Sequence, residues 1–410
     1  MIIENLRLED RDKKVRLAAT VKWEDCERPV EELYFETRAE FSDDISCNPN
    51  AFLVACVAPA MYFGEKRIFS DAEVCPELKN GLVTVMHWFR HWWYEPDREL
   101  VKIEAKSMKQ TDSKNLKRAA VFYSGGIDSF TTIYLNRLTY PSEHPGFIRD
   151  GLHVFGLEHD DIETFEYLGN SLTKFADEIG ITYIPVYTNI YLNHMEEDSK
   201  NNFDFFHNQY QSASISAVAH IFTKRLSYAS TSSGTHLRVM RPTGCHPLID
   251  HNYSSYDLRI QQRGVYLSRL EKVRLLSNWS IALPYIRVCN RSKSYWLNTL
   301  NCGRCEKCIC TMLELLALKL LDRTDAFPRH DVNANDVRKA VVIENSFMED
   351  CYIELLSPLA EQGRLDLVKA IREKIGLYHG KVPLRQRVGE MDRKFLGGNL
   401  KRLMRMVIAN

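Results

Sequence analysis

The 410-residue chain contains no apolar run near the ~18 residues that a membrane helix requires, so no spanning segment is expected. Its first stretch, MIIENLRLEDRDKK, is charged from the outset and does not read as a secretory signal. Net charge is also missing: 54 basic residues stand against 54 acidic ones, which counts mildly against a nucleic-acid partner. Internal repeats and low-complexity tracts are absent. Neither GxxxxGK[ST] nor GxGxxG occurs, which removes support for ordinary kinase and dinucleotide-binding readings. With 45% apolar and 11% aromatic residues, the chain can bury a sizeable core, and disorder is excluded as its main state. A cytoplasmic protein without membrane contact is expected.

Eleven cysteines are present, but a neutral chain of this length is not a small disulfide-stapled scaffold. Cys26, Cys47, Cys56, Cys75, Cys245 and Cys351 are scattered, whereas Cys289, Cys302, Cys305, Cys308 and Cys310 crowd a short stretch. Cys289, Cys302, Cys305 and Cys308 offer four thiolates at a spacing suited to tetrahedral Zn2+, with an iron–sulfur cluster as the rival. Gly303 suits a tight knuckle between them, and Cys310 is assigned to packing.

Residues 1–110 read as an N-terminal α+β domain. KVRLAATVKW and ELYFETRAEF alternate as strands do, AFLVACVAPAMYF suits a buried helix, and GLVTVMHWFRHWWYE a second helix. Its three tryptophans are assigned to core or interdomain packing in preference to a stacking surface for nucleic acid. KIEAKSMKQTDSKNLKR, poor in apolar residues, reads as a boundary. From residue 117 to 320 strands and helices alternate: AAVFY, LHVFGL, TYIPVY and LSYAST are buried strands. The helix between the second and third of these places Ile162, Phe165, Leu168, Leu172, Phe175 and Ile179 on one face. The fold class is therefore α/β, a doubly wound parallel sheet. Residues 321–410 read as a helical extension, basic from Lys369 onward, where 11 Lys and Arg meet 3 Asp and Glu.

The sharpest motif is Ser124-Gly125-Gly126-Ile127-Asp128-Ser129, between a buried strand and a helix. Two glycines let backbone N–H groups converge at a helix N-terminus, making an anion nest to which Ser124 and Ser129 can add hydroxyls. The segment resembles the SGGxDS loop of the PP-loop ATP pyrophosphatase superfamily, whose fold is adenine nucleotide alpha-hydrolase-like. The resemblance implies ATP cleavage between the α and β phosphates and adenylation of a substrate oxygen. It further implies that Ser124, Gly125, Gly126 and Ser129 hold the pyrophosphate, that Asp128 organises the loop or a Mg2+ ion, and that adenine lies against the backbone around Phe155.

Together with the cysteine pattern, the loop resembles the 7-cyano-7-deazaguanine synthase family over residues 117–320. LSRLEKVRLL is similar to the family's segment bearing a phosphate-facing base, with Lys272 the first choice and Arg269 the second. The added N-terminal and C-terminal parts are similar to the long relatives in bacterial antiphage systems, type IV CBASS and Qat. The resemblance implies an ATP-dependent C–N ligase that activates a deazaguanine-type acid and passes it to a nitrogen nucleophile. That nucleophile is either ammonia or the N-terminal amine of an acceptor protein, which residues 1–110 and the tail would help to position. A tRNA-modifying PP-loop enzyme and a non-catalytic partner-binding module are the competing classes. HPLIDHNYSSYD suggests substrate residues: Asp250 for the guanine-like N1–H and amino group, Tyr253 for a ring face, and His246 beside them. The oligomeric state, a homodimer included, stays open.

Overall fold

The computed structural model describes residues 1–109, 117–157, 161–191, 204–289 and 299–381. The chain divides into two compact units, 1–302 with 323–328, and 303–322 with 329–410.

The first unit is built on a ten-stranded sheet. Five strands come from the first 107 residues: β1 (Ile2–Arg11), β2 (Lys14–Lys22), β3 (Glu31–Arg38), β4 (Arg67–Val74) and β5 (Lys102–Ser107). Five more follow: β6 (Arg118–Phe122), β7 (Ile148–Phe155), β8 (Thr182–Thr188), β9 (Leu226–Ser232) and β10 (Arg259–Arg263). Their order is β10-β9-β6-β7-β8-β3-β2-β1-β4-β5. Pairing is parallel from β10 to β8, antiparallel through β3, β2 and β1, and parallel again to β4 and β5.

The segment expected as a separate N-terminal domain thus extends the same sheet. KIEAKS, expected as boundary, is strand β5, while residues 110–116 lie outside the described set. The join is the antiparallel pair β3–β8, with Phe35 opposite Thr188 and Thr37 opposite Val186. Thr37 donates its hydroxyl to the Pro185 carbonyl at 2.6 Å, and Thr188 donates to the Tyr34 carbonyl at 2.6 Å. A continuous apolar core crosses this seam, from Leu17 and Phe35 through Val57 and Ala217 to Ile260.

Helices cover the sheet. On one side α1 (Pro49–Phe63) packs on α2 (Pro76–Trp93) and on α5 (Gln211–His220). Helix α1 is buried nearly all round, as its unbroken apolar sequence requires. Asn48 caps its start by accepting from the Asn50 amide at 3.0 Å. Trp88 and Trp92 of α2 pack against the core, while Trp93 is partly exposed. Elsewhere α3 (Ile127–Thr139) packs with α6 (Arg269–Ser277), and α4 (Ile162–Glu178) lies on β7 and β8. Phe165, Leu168, Leu172 and Phe175 of α4 are buried as expected. Ile162 is exposed in the first turn and Ile179 is half-buried beyond the last, so the apolar face is shorter than its sequence pattern.

The second unit is helical: α7 (Glu306–Ala317), α8 (Ala334–Ala340), α9 (Ser346–Ile353), α10 (Leu356–Glu361) and α11 (Leu365–Lys381). Leu315, Val337, Tyr352, Leu359 and Ile371 are buried in it. Most of the basic tail expected from the sequence, residues 382–410, lies outside the described set. Among the described residues no helix is long and apolar enough to cross a membrane.

Candidate functional site

In the parallel half of the sheet the chain starts at β6, moves outward to β7 and β8, then returns to the other side of β6 with β9 and β10. The direction of winding therefore reverses between β6 and β9. A crevice opens at the carboxyl ends of strands at such a reversal, and ligands of open α/β sheets bind there.

Ser124–Ser129 follow β6 at this point. Gly125 has φ +75, a conformation open to glycine, and a Cβ there would stand 2.9 Å from Leu172 Cδ2. Ser124 Oγ accepts from the Gly126 amide at 3.3 Å and lies 3.4 Å from Ser129 Oγ. Ser129 donates to the Gly126 carbonyl at 3.0 Å. Gly126 caps α3, so the loop's amides meet the positive end of that helix, an arrangement suited to anions.

Opposite the loop stands α6, started by a capping box in which the Ser268 hydroxyl accepts from the Glu271 amide and Glu271 accepts from the Ser268 amide. That cap fixes the first turn and so directs Arg269 and Lys272 toward α3. Lys272 Nζ donates to Asp128 Oδ1 at 2.7 Å and to the Ser233 carbonyl beyond β9; Arg269 Nη1 reaches Asp128 Oδ2 at 3.3 Å. The Lys272 side chain is 1% exposed and that of Arg269 16%. Both cation candidates thus converge on one carboxylate beside the loop. With both oxygens facing cations, Asp128 does not fit a protein-held Mg2+ site; its chemistry here is to fix two positive charges.

Phe155 ends β7, beside β6. Its ring packs on Phe165 and Tyr187 at centroid distances of 5.3 and 6.0 Å. The next residue, Gly156, has φ +94, and a Cβ there would meet the Thr188 carbonyl oxygen at 1.8 Å. Only glycine lets the chain turn away here.

The substrate candidates are placed differently from expectation. Asp250 is 1% exposed. Its Oδ1 accepts from the His246 amide at 2.9 Å, and its Oδ2 from Thr231 Oγ1 at 2.9 Å. Cys245 Sγ lies 3.5 Å from Oδ2, and burial raises the carboxyl to about 6. Asp250 therefore ties its own loop to β9, where it was expected to meet a base. Tyr253 is fully buried and offers no open ring face. His246 is half-buried and meets Trp92 edge-on at 5.0 Å. The reason is common to all three: the 246–253 segment packs inward against α2 and β10.

A groove of about 770 Å3 lies elsewhere, along α4, and none of the loop residues lines it. Lys13, Lys14 and Arg38 there face Asp12, Glu40 and Glu166, so its charges balance and select no ligand class.

The four cysteines do come together. The Sγ atoms of Cys289, Cys302, Cys305 and Cys308 all lie within 4.8 Å of one another. Around a single tetrahedral ion with bonds of about 2.3 Å, sulfurs stand about 3.8 Å apart. A four-iron cluster carries each cysteine on its own iron and spreads the sulfurs outward, so the spacing fits one ion such as zinc. Gly303, at φ +62, makes the turn after Cys302, and Cys305 caps α7, whose first turn holds Cys308. The helix N-terminus favours thiolates.

Three contributors carry no motif: Ser233, whose carbonyl holds Lys272; Arg287, whose amide donates to the Gly125 carbonyl at 2.8 Å; and Asn301. Ser233 could have been found as the residue just past a buried strand; the other two left no signal. Comparison of the chain with protein-family models, curated proteins and solved structures gave no match.

Proposed function

We propose that the protein is an ATP-dependent adenylating enzyme. A substrate carboxylate oxygen attacks the α-phosphorus, the bond to the β-phosphate bridge breaks, and pyrophosphate leaves. A nitrogen nucleophile then attacks the acyl carbon and AMP departs. The observation that carries this reading is the convergence, where the sheet reverses its winding, of the Ser124–Ser129 anion nest with the Asp128-held pair Lys272 and Arg269.

In this reading the loop amides and the Ser124 and Ser129 hydroxyls bind the departing pyrophosphate, and Lys272 and Arg269 offset its growing charge. Their orientation is set beforehand by Asp128 and Ser233, so little reorganisation is needed in the transition state. Adenine lies against the backbone near Phe155. Mg2+ enters with the nucleotide as part of the substrate. The cysteine cluster holds zinc in a structural role, because four protein thiolates leave no open coordination position.

The acid proposed is 7-carboxy-7-deazaguanine, on the resemblance of the loop and cysteine pattern, and the nitrogen is that of a protein N-terminus as in the antiphage relatives. The test is pyrophosphate release from ATP with this acid, with and without ammonia, followed by mass spectrometry of products. Acid-stimulated release supports the reading. Release without an ammonia requirement, together with a mass increment on a protein, supports the proteinaceous acceptor. A protein that binds ATP without stimulation by the acid would exclude the deazaguanine substrate.

A further inference from the structure

Residues 286–289 form a short strap in the first unit between the Ser124–Ser129 loop and Cys289. At one end the Arg287 amide donates to the Gly125 carbonyl, inside the anion nest, at 2.8 Å. Gly126 faces the same strap: a Cβ there would stand 3.6 Å from the Arg287 carbonyl oxygen. At the other end, two residues on, is Cys289, a member of the thiolate cluster.

A single side chain fixes the conformation between them. Asn301 is completely buried. Its Oδ1 accepts from the Val288 amide at 2.8 Å and the Cys289 amide at 3.1 Å. Its Nδ2 donates to the Ile286 carbonyl at 2.8 Å and the Ala326 carbonyl at 2.9 Å. All four polar positions of that amide are used on backbone, three of the four bonds on the strap itself. Asn301 also immediately precedes Cys302. A metal that binds Cys289 and Cys302 therefore draws together both ends of the clasp, and the clasp holds the peptide that rests on Gly125.

We propose that Asn301 is a positioning residue for the phosphate loop, and that metal occupancy of the cysteine cluster and ATP binding at the loop are thermodynamically coupled through the 286–289 strap. The inference rests on the reading of Ser124–Ser129 as an ATP-binding loop. Coupling of this kind is reciprocal: the factor by which metal strengthens ATP binding must equal the factor by which ATP strengthens metal binding.

The experiment uses the full chain. ATP affinity is measured by calorimetry on Zn2+-loaded and metal-stripped protein, and Zn2+ affinity by competition with a chelator, with and without saturating ATP. Circular dichroism checks that the stripped protein stays folded. Expected are a loss in ATP affinity of about tenfold or more on stripping and the same factor in the reverse measurement. Asn301→Ala should lower ATP affinity comparably while still binding one Zn2+. Should the stripped protein or the variant unfold, Co2+-loaded wild-type protein supplies the reading: pyrophosphate or ATP should shift its cobalt–thiolate absorption bands. Zn2+-loaded protein that binds no ATP overturns the functional reading, and the coupling with it. ATP binding that is equal with and without metal, or, where the Co2+ form is used, a spectrum indifferent to ATP, overturns the coupling alone.

Discussion

Lys272 and Asp128, 144 positions apart in sequence, form an ion pair of 2.7 Å in which the lysine side chain is almost wholly out of solvent. Its ammonium is further fixed by the Ser233 carbonyl. A charge held this way is directed by the fold, and Asp128 both neutralises it at rest and aims it.

Removing either member should therefore have similar effects. Lys272→Met and Asp128→Asn are each expected to lower acid-dependent pyrophosphate release about 100-fold. The double variant should be little worse than either single one, because the two act as a unit. Steady-state rates of the three proteins measure this directly.

Gly125→Ala places a side chain at φ +75 and against Leu172. The conformation alone costs about 1–2 kcal/mol. A fall in the thermal midpoint together with weaker ATP binding is expected, and calorimetry reads both.

Cys308→Ser should reduce bound metal below one ion per chain, measured by elemental analysis. Because metal held by four thiolates contributes to folding stability, the variant should also unfold at a lower denaturant concentration. A strong chelator should reproduce that shift in the wild-type protein.

Asp250 gives a prediction in pH. Its carboxyl is raised by burial from 3.8 to about 6, so between these values the folded state holds a proton that the unfolded state has released. Stability is thus favoured by this group at low pH, falls as pH rises through that window, and above it is lower by roughly 3 kcal/mol. Asp250→Asn, which cannot ionise, should flatten the slope between about pH 4 and 6. Urea unfolding of both proteins at the two ends of the window provides the comparison.

Asp150, fully buried, accepts a hydrogen bond from Arg225 Nη2 at 2.8 Å and forms an ion pair with Arg118, whose Nε lies 2.8 Å from Oδ2. Arg225 also pairs with Asp44 at 2.7 Å. Asp150→Ala would leave the Arg118 guanidinium without its carboxylate and Arg225 with Asp44 alone, a loss of about 3 kcal/mol. Chemical denaturation checks it.

Strands β2 and β3 are legible in the sequence by their alternation, and β6 to β9 of the parallel half by their short continuous runs. AAVFY and TYIPVY carry continuous apolar or small residues because their middles are buried, and LSYAST is buried except around Tyr228. RIQQR and KIEAKS pass unnoticed for the opposite reason: β10 and β5 are the outer edges of the sheet, where polar composition protects an open edge. In β1 the register shifts between Glu4 and Arg7, with Asn5 at φ 53, so its alternation breaks midway. At the site, the nest and the thiolates are visible as motifs because their chemistry needs fixed neighbours. Asp250 shows the limit. A carboxylate turned inward to bind its own loop and one held out to a ligand are the same letter, and only packing distinguishes them.

The β3–β8 seam has a consequence for dissecting the molecule. Cutting the chain after residue 110 would not release an accessory module; it would tear the sheet down its middle. Strand β8 would be left with a raw hydrogen-bonding edge, and α5 would lose the covering of α1. Such a fragment should recruit other copies along that open edge and precipitate. Whatever else the first hundred residues do, they close the sheet on which the Ser124–Ser129 loop is mounted.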